Sequence, residues 1–119
     1  MVVDDDPHLL YTVERILGDD VELVTAESGD ECLEILNDDF EGIIFMDVMM
    51  PEMDGWETVE KIAERYDMDN VIISMLTAKE SPEQGREVLQ KFVVDYVRKP
   101  FTEKELKDKI AEYQKYLEG

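Results

Sequence analysis

The chain of 119 residues has a single cysteine, Cys32, so no disulfide can form within it, and it fits a reducing compartment. Long hydrophobic runs are missing. None exceeds about five residues, which excludes a membrane-spanning helix. No basic, apolar, small-residue leader opens the chain. Basic residues are few: 12 Lys and Arg stand against 31 Asp and Glu, a net charge of −19. Nucleic acid is a poor direct partner for such a surface, because phosphate binding needs a basic face. The shortage is sharpest in residues 1–60, with 19 acids and one base, Arg15. One strongly negative side is expected, serving solubility, a salty medium or the steering of a partner. Six glycines and four prolines form no linker, repeat or low-complexity tract, and the length fits one domain.

Apolar residues make up 44% of the chain, enough for one core, and they fall into two alternating kinds of segment. Short apolar runs lie at Val2-Val3, Val21–Val24, Gly42–Met46, Val71–Leu76 and Phe92–Val97. Between them, helical spacing sets Leu9, Leu10, Val13, Ile16 and Leu17 on one stripe, ended by Gly18. Cys32, Leu33, Ile35 and Leu36 make a second stripe, and Trp56, Val59, Ile62, Ala63 and Tyr66 a third. Ser81-Pro82 opens a shorter fourth around Val88 and Leu89. Thr102-Glu-Lys-Glu105 is a capping box ahead of a fifth, with Leu106, Ile110, Tyr113 and Leu117. Five (βα) units in series predict an α/β fold, a parallel sheet covered on both faces.

In such sheets the ligand site lies beyond the carboxyl ends of the strands. The polar residues there are Asp4-Asp5-Asp6, Asp47, Thr77 and Lys99, whereas Ala26–Gly29 reads as an ordinary turn. Pro7 suits the first helical position and Asp6 the N-cap before it, which leaves Asp4 and Asp5 without a local partner. Three carboxylates at one sheet edge repel one another unless a cation sits among them. All-oxygen ligation favours Mg²⁺ or Mn²⁺, the plainer alternative being three solvated turn carboxylates. Pro51 and Gly55 hold a tight loop after Asp47. An aspartate beside a divalent ion can attack phosphorus. Thr77 could then supply a hydroxyl, and Lys99 a point charge, to the new phosphoryl group. Taken singly, Thr77 also suits a turn and Lys99 the surface.

Four blocks in order carry a resemblance over essentially the whole chain: Val2-Val-Asp-Asp-Asp-Pro7, Met46-Asp-Val-Met-Met-Pro-Glu-Met-Asp-Gly55, Leu76-Thr-Ala78 and Tyr96-Val-Arg-Lys-Pro-Phe101. The chain resembles the receiver domain of two-component response regulators. The resemblance implies a flavodoxin-like three-layer (βα)5 fold with sheet order 2-1-3-4-5, filling residues 1–119 with no output domain. It implies Asp47 as the phosphoacceptor. Asp5 and Asp47, with the backbone carbonyl of Met49, become direct Mg²⁺ ligands, and Asp4 acts through a metal-bound water. Thr77 and Lys99 become the contacts to the phosphoryl oxygens, and Tyr96 the aromatic switch residue. A cis bond is implied at Lys99-Pro100. The implied partners are a histidine kinase or phosphotransfer protein, docked on the first helix near His8, Tyr11, Thr12 and Arg15, and a downstream protein. That downstream partner reads the surface of the fourth helix, fifth strand and fifth helix. A phosphorylation-dependent homodimer is left open. The implied location is the cytoplasm, and the implied role is a switch rather than an enzyme.

The chain departs from the pattern in places. Phe92-Val93 stands where relatives carry Gly-Ala, so Phe92 is expected either on the surface, in a partner patch with Tyr96 and Tyr113, or tucked into the core. Tyr96 by itself reads as a strand aromatic half packed on the fifth helix. Met49 and Lys79 flank the expected path of an attacking water, and neither can orient it, which predicts slow self-dephosphorylation. Cys32 and most methionines read as core filling, with Met49, Met50 and Met53 more exposed in a loop. Two rivals stand beside the switch. A Mg²⁺-dependent phosphatase working through an aspartyl phosphate would need a second acid soon after Asp47, where Val48, Met49 and Met50 follow. The other rival is an interaction module that never carries phosphate.

Overall fold

Period-two alternation of apolar residues splits each inner strand between two cores. The computed structural model describes residues 1–78 and 91–118. Five parallel strands form one sheet: β1 (Val2–Val3), β2 (Thr25–Ala26), β3 (Gly42–Asp47), β4 (Val71–Thr77) and β5 (Val93–Arg98), in the order β2-β1-β3-β4-β5. Four helices are described: α1 (Pro7–Leu17), α2 (Gly29–Ile35), α3 (Gly55–Arg65) and α4 (Glu103–Glu118), the last being the fifth helical pattern of the sequence. The fourth pattern, with Ser81, Pro82, Val88 and Leu89, lies outside the described residues, as does Lys79.

Val3, Ile44, Met46, Ile73 and Met75 face α2 and α3, meeting Cys32, Leu33, Trp56, Val59 and Ile62. Val2, Phe45, Ile72 and Leu76 face the other way, meeting Leu10, Val13 and Leu17 of α1 and Leu106 and Tyr113 of α4. Burying each such side chain contributes roughly 1.5–3 kcal/mol, which makes these two layers the main favourable term. Helix starts follow the expected chemistry. The Asp6 carboxylate accepts from the His8 N–H at 2.9 Å with Pro7 next in line, and Thr102 Oγ1 accepts from the Glu105 N–H at 3.1 Å.

Several local expectations are corrected. The second strand is Thr25–Ala26, not Val21–Val24. Pairing needs a facing strand, and β1 offers only Val2 and Val3, which lie in register with Thr25 and Ala26. Val21, Leu23 and Val24 are half-buried ahead of β2, and Val24 joins β1 through its carbonyl, which accepts the Val2 N–H at 2.9 Å. Ala26–Gly29 is no free turn, because Ala26 is the end of β2 and Ser28 caps α2, accepting from the Glu31 N–H at 3.0 Å. Ile35 is off the buried stripe of its short helix, at 36% exposure. Met50 is buried rather than exposed, packed in the α2–α3 core, while Met49 beside it is 69% exposed. Cys32 is wholly buried, and burial pushes its thiol up to about 12, so it fills the core as a thiol.

Candidate functional site

Strands β1, β3, β4 and β5 end together, β1 delivering Asp4 and Asp5 and the others Asp47, Thr77 and Lys99 to the same edge. Asp4 follows β1 directly and is wholly buried. Its local partner, unforeseen in the sequence, is the Asp6 N–H, which donates to Asp4 Oδ1 at 2.9 Å. Asp47 ends β3 and is buried, with Asp5 exposed on the rim. One carboxylate oxygen from each of Asp4, Asp5 and Asp47 lies within 4.8 Å of the others. Lys99 reaches between the inner two, its ammonium 2.5 Å from Asp4 Oδ2 and 3.1 Å from Asp47 Oδ1. The Met49 N–H points at Asp47 Oδ1 from 3.4 Å. Thr77 ends β4, buried, and its carbonyl accepts from the Lys99 N–H at 2.7 Å. The Lys99-Pro100 bond is cis.

The electrostatics are those of a crowded anionic site. Burial, then repulsion from Asp4, raises the Asp47 carboxyl from an ordinary 3.8 to about 6, outweighing the pull of Lys99. Burial alone would lower the Lys99 ammonium, but the bonds and charges of Asp4 and Asp47 hold it above its usual range. Two buried carboxylates thus share one ammonium, with a third carboxylate at the mouth. Hard oxygen donors with excess negative charge suit a small divalent cation, so the residues present fit Mg²⁺ or Mn²⁺.

The loop that carries Asp47 into α3 is held closely. Gly55 donates its N–H to the Val48 carbonyl at 2.9 Å, and a Cβ on Gly55 would stand 2.2 Å from the Asp47 carbonyl oxygen. Close approach, not a left-handed backbone, is what requires glycine here. The left-handed residue of the loop is Glu52, at φ 68°. Asp54 caps α3, accepting from the Glu57 N–H at 2.8 Å. The sequence signalled the tight loop through Pro51 and Gly55, but not the cap.

Tyr96 lies on β5 on the α2–α3 side of the sheet, half-buried, its ring 6.4 Å from that of Trp56. It does not pack on the C-terminal helix, as its own strand position suggested. Tyr113 of that helix packs instead on Phe45, ring centroids 5.9 Å apart. Of the two readings of Phe92, the tucked one holds: it is half-buried against the α2–α3 core, and Tyr113, 1% exposed on the opposite face, forms no patch with it and Tyr96. The reason is a bulge between β4 and β5. Ile73 pairs with Val93 but Ser74 with Asp95, so Val94 is an extra residue and every later side chain changes face. His8, Tyr11 and Thr12 are exposed on α1, and the Arg15 guanidinium lies 5.9 Å from the Tyr11 ring centre. An open depression of about 510 Å³ beside Lys99 is lined by His8, Leu9, Thr12 and Phe101, among others.

The family described as the response regulator receiver domain matches residues 1–111. Among curated proteins, the chain is 36% identical over 111 residues to hybrid signal transduction histidine kinase D of Dictyostelium discoideum, covering 93% of this chain and 7% of that protein. It is 33% identical over 107 residues to the heme response regulator HssR of Staphylococcus aureus, covering 89% of this chain and 46% of that one. The chain therefore spans less than half the length of either relative. Among solved structures, it is similar to a receiver domain protein (CheY-like) from Methanospirillum hungatei JF-1, with 38% identity and a TM-score of 0.90, covering 99% of this chain and 94% of that one. The N-terminal domain of a response regulator receiver protein from Methanoculleus marisnigri JR1 gives 35% identity and a TM-score of 0.72, covering 93% and 91%. No helix among the described residues is long and apolar enough to cross a membrane.

Proposed function

This chain belongs to the family of response regulator receiver domains, and we propose that it is a phosphorylation-dependent switch with Asp47 as its phosphoacceptor. The observation that carries the reading is the position of Asp47. It is a buried carboxylate at a strand end, gripped by Lys99 and crowded by Asp4 and Asp5. A partner histidine kinase's phosphohistidine, or a small acyl phosphate, presents the phosphoryl group. An Asp47 carboxylate oxygen attacks phosphorus, the phosphorus bond to the donor's nitrogen or oxygen breaks, and the donor leaves with that electron pair. Asp5, Asp47 and the Met49 carbonyl, with Asp4 through a water, would hold Mg²⁺. When bound, that ion supplies a positive charge that offsets the developing charge on the phosphoryl oxygens.

Lys99 exchanges its contact with Asp47 for one with the new phosphoryl group, and its reach to Asp4 keeps it in place. The Thr77 hydroxyl turns toward the same group, and Tyr96, whose ring already lies 6.4 Å from that of Trp56, moves further inward. The surface built on β5 and α4 changes partner in consequence. The depression between α1 and Lys99–Phe101 gives the donor its approach.

Intact-mass measurement after acetyl phosphate and Mg²⁺ tests the reading. One hydroxylamine-labile phosphoryl group on the wild type, and none on Asp47→Asn, is expected. Continuous release of phosphate with many turnovers would favour a phosphatase. No adduct and no Mg²⁺ binding would favour a module that never carries phosphate.

A further inference from the structure

A chain of polar side chains runs through the face of the sheet opposite Tyr96. Ser74 is wholly buried on β4, and its Oγ lies 2.9 Å from the hydroxyl of Tyr113 on α4. Tyr113 donates to Asp95 Oδ2 at 2.9 Å, and Lys109 of α4 donates to the same oxygen at 2.6 Å. A phenol has one proton, so Ser74 must donate to Tyr113 and Tyr113 to Asp95, which gives the chain a fixed direction. The other Asp95 oxygen accepts the N–H of Tyr96 at 2.8 Å. The backbone of Tyr96 is therefore clamped by Asp95, and Asp95 by two side chains of α4.

This arrangement depends on the bulge at Val94. An uninterrupted strand would turn Asp95 into the apolar layer of α2 and α3 and put Tyr96 against α4. A phenol and a serine hydroxyl buried under a helix are costly unless each is bonded, and the half-exposed Asp95 carboxylate supplies the acceptor at their outer end. Here each is bonded, and the bonds converge on the residue next to the candidate switch tyrosine.

We propose that Asp95 and Tyr113 are positioning residues for Tyr96, forming the link through which a change at the Asp47 pocket moves α4. The proposal rests on the reading of Asp47 as phosphoacceptor. Tyr96 and Asp95 share one peptide unit but face opposite layers, so a shift of the Tyr96 backbone pulls on Asp95. Asp95 pulls on Lys109 and Tyr113, which lie about one helical turn apart on α4. Ser74, three residues before Thr77 on β4, anchors the far end of the chain.

The test uses the whole chain with Mg²⁺ and beryllofluoride as the phosphoryl mimic. Emission of Trp56, the single tryptophan, reports Tyr96. Backbone amide shifts over 103–118 report α4. Both should respond in the wild type. Tyr113→Phe keeps the ring on Phe45 and removes only the hydroxyl. It should still take a phosphoryl group from acetyl phosphate and keep its Trp56 response, while the α4 shifts fall to less than half. Asp95→Asn, which replaces the charge without changing shape, should do the same and decides the matter if Tyr113→Phe does not fold. Lys109→Arg should retain the wild-type response. Undiminished α4 shifts in the variants overturn the link while leaving the phosphoacceptor reading intact. A wild type that acquires no phosphoryl group and ignores beryllofluoride sinks that reading, and the link with it.

Discussion

The ammonium of Lys99 stands 2.5 Å from a carboxylate oxygen of Asp4 that solvent does not reach. The lysine thereby sets a positive charge against the carboxylates that would hold a divalent cation. Removing it leaves Asp4 and Asp47 facing each other with nothing between. Lys99→Met should lower stability by about 3 kcal/mol in Mg²⁺-free buffer, the cost typical of orphaning a buried charge. It should also bind Mg²⁺ more tightly than the wild type, because the competing cation is gone. Thermal melts with and without Mg²⁺ check both. Equal Mg²⁺ affinity in the two proteins would contradict the competition.

Asp47→Asn makes the complementary prediction. Burial and Asp4 both work against a charged Asp47, so its neutral isostere should melt at a higher temperature than the wild type in the absence of metal. Mg²⁺ should stabilise the wild type by about 2.7 kcal/mol at a hundredfold excess over its dissociation constant. The variant should show little of that gain.

Gly55 lies against the backbone of Asp47 rather than its carboxylate. A methyl there would press on the backbone carbonyl of Asp47 and on the Met75 side chain. Gly55→Ala should cost about 1–3 kcal/mol as an overpacked contact. It should also weaken Mg²⁺ binding and slow phosphorylation by acetyl phosphate, measured by intact mass. An unchanged rate would mean the Asp47 backbone tolerates the push.

Acid should loosen the β5–α4 link. Burial alone would raise the Asp95 carboxyl, but the bonds from Lys109, the Tyr96 N–H and Tyr113 outweigh it and hold it below the usual carboxylate range. A depressed folded-state value means stability that is present above the unfolded carboxylate range and lost as pH falls through the folded value. Asp95→Asn should therefore remove part of the stability at neutral pH. The gap to the wild type should narrow steadily below about pH 4, the unfolded carboxylate range. Denaturant midpoints across pH 2–7 measure it, and a gap that widens in acid would reverse the sign.

Met49, 69% exposed two residues after Asp47, offers no oxygen or amide to orient an attacking water from its side chain. The phosphorylated form should persist in Mg²⁺ buffer without a phosphatase. Met49→Gln should shorten its lifetime by roughly tenfold, a modest share of what positioned groups contribute to proton-transfer steps. Loss of the mass adduct over time measures this. Equal lifetimes would place control of the water elsewhere.

The (βα) order and the parallel sheet were legible before any coordinates, because hydrophobic runs and helical stripes are read over short stretches. The sequence also marked Asp4, Asp5, Asp47, Thr77 and Lys99, because a parallel sheet gathers its strand ends at one edge whatever the side chains do afterwards. Caps such as Asp6 and Thr102 were legible for the same local reason. That Lys99 lies between Asp4 and Asp47 emerged from the folded chain, since it depends on charges brought together from three strands. The fold alone placed Tyr96 against Trp56 and Asp95 under α4. A one-residue bulge reverses the facing of all that follows, and nothing in the composition of Val93-Val94-Asp95 announces it. The short β2 and the burial of Met50 were likewise hidden, because pairing and packing depend on which neighbours arrive, not on hydrophobicity alone.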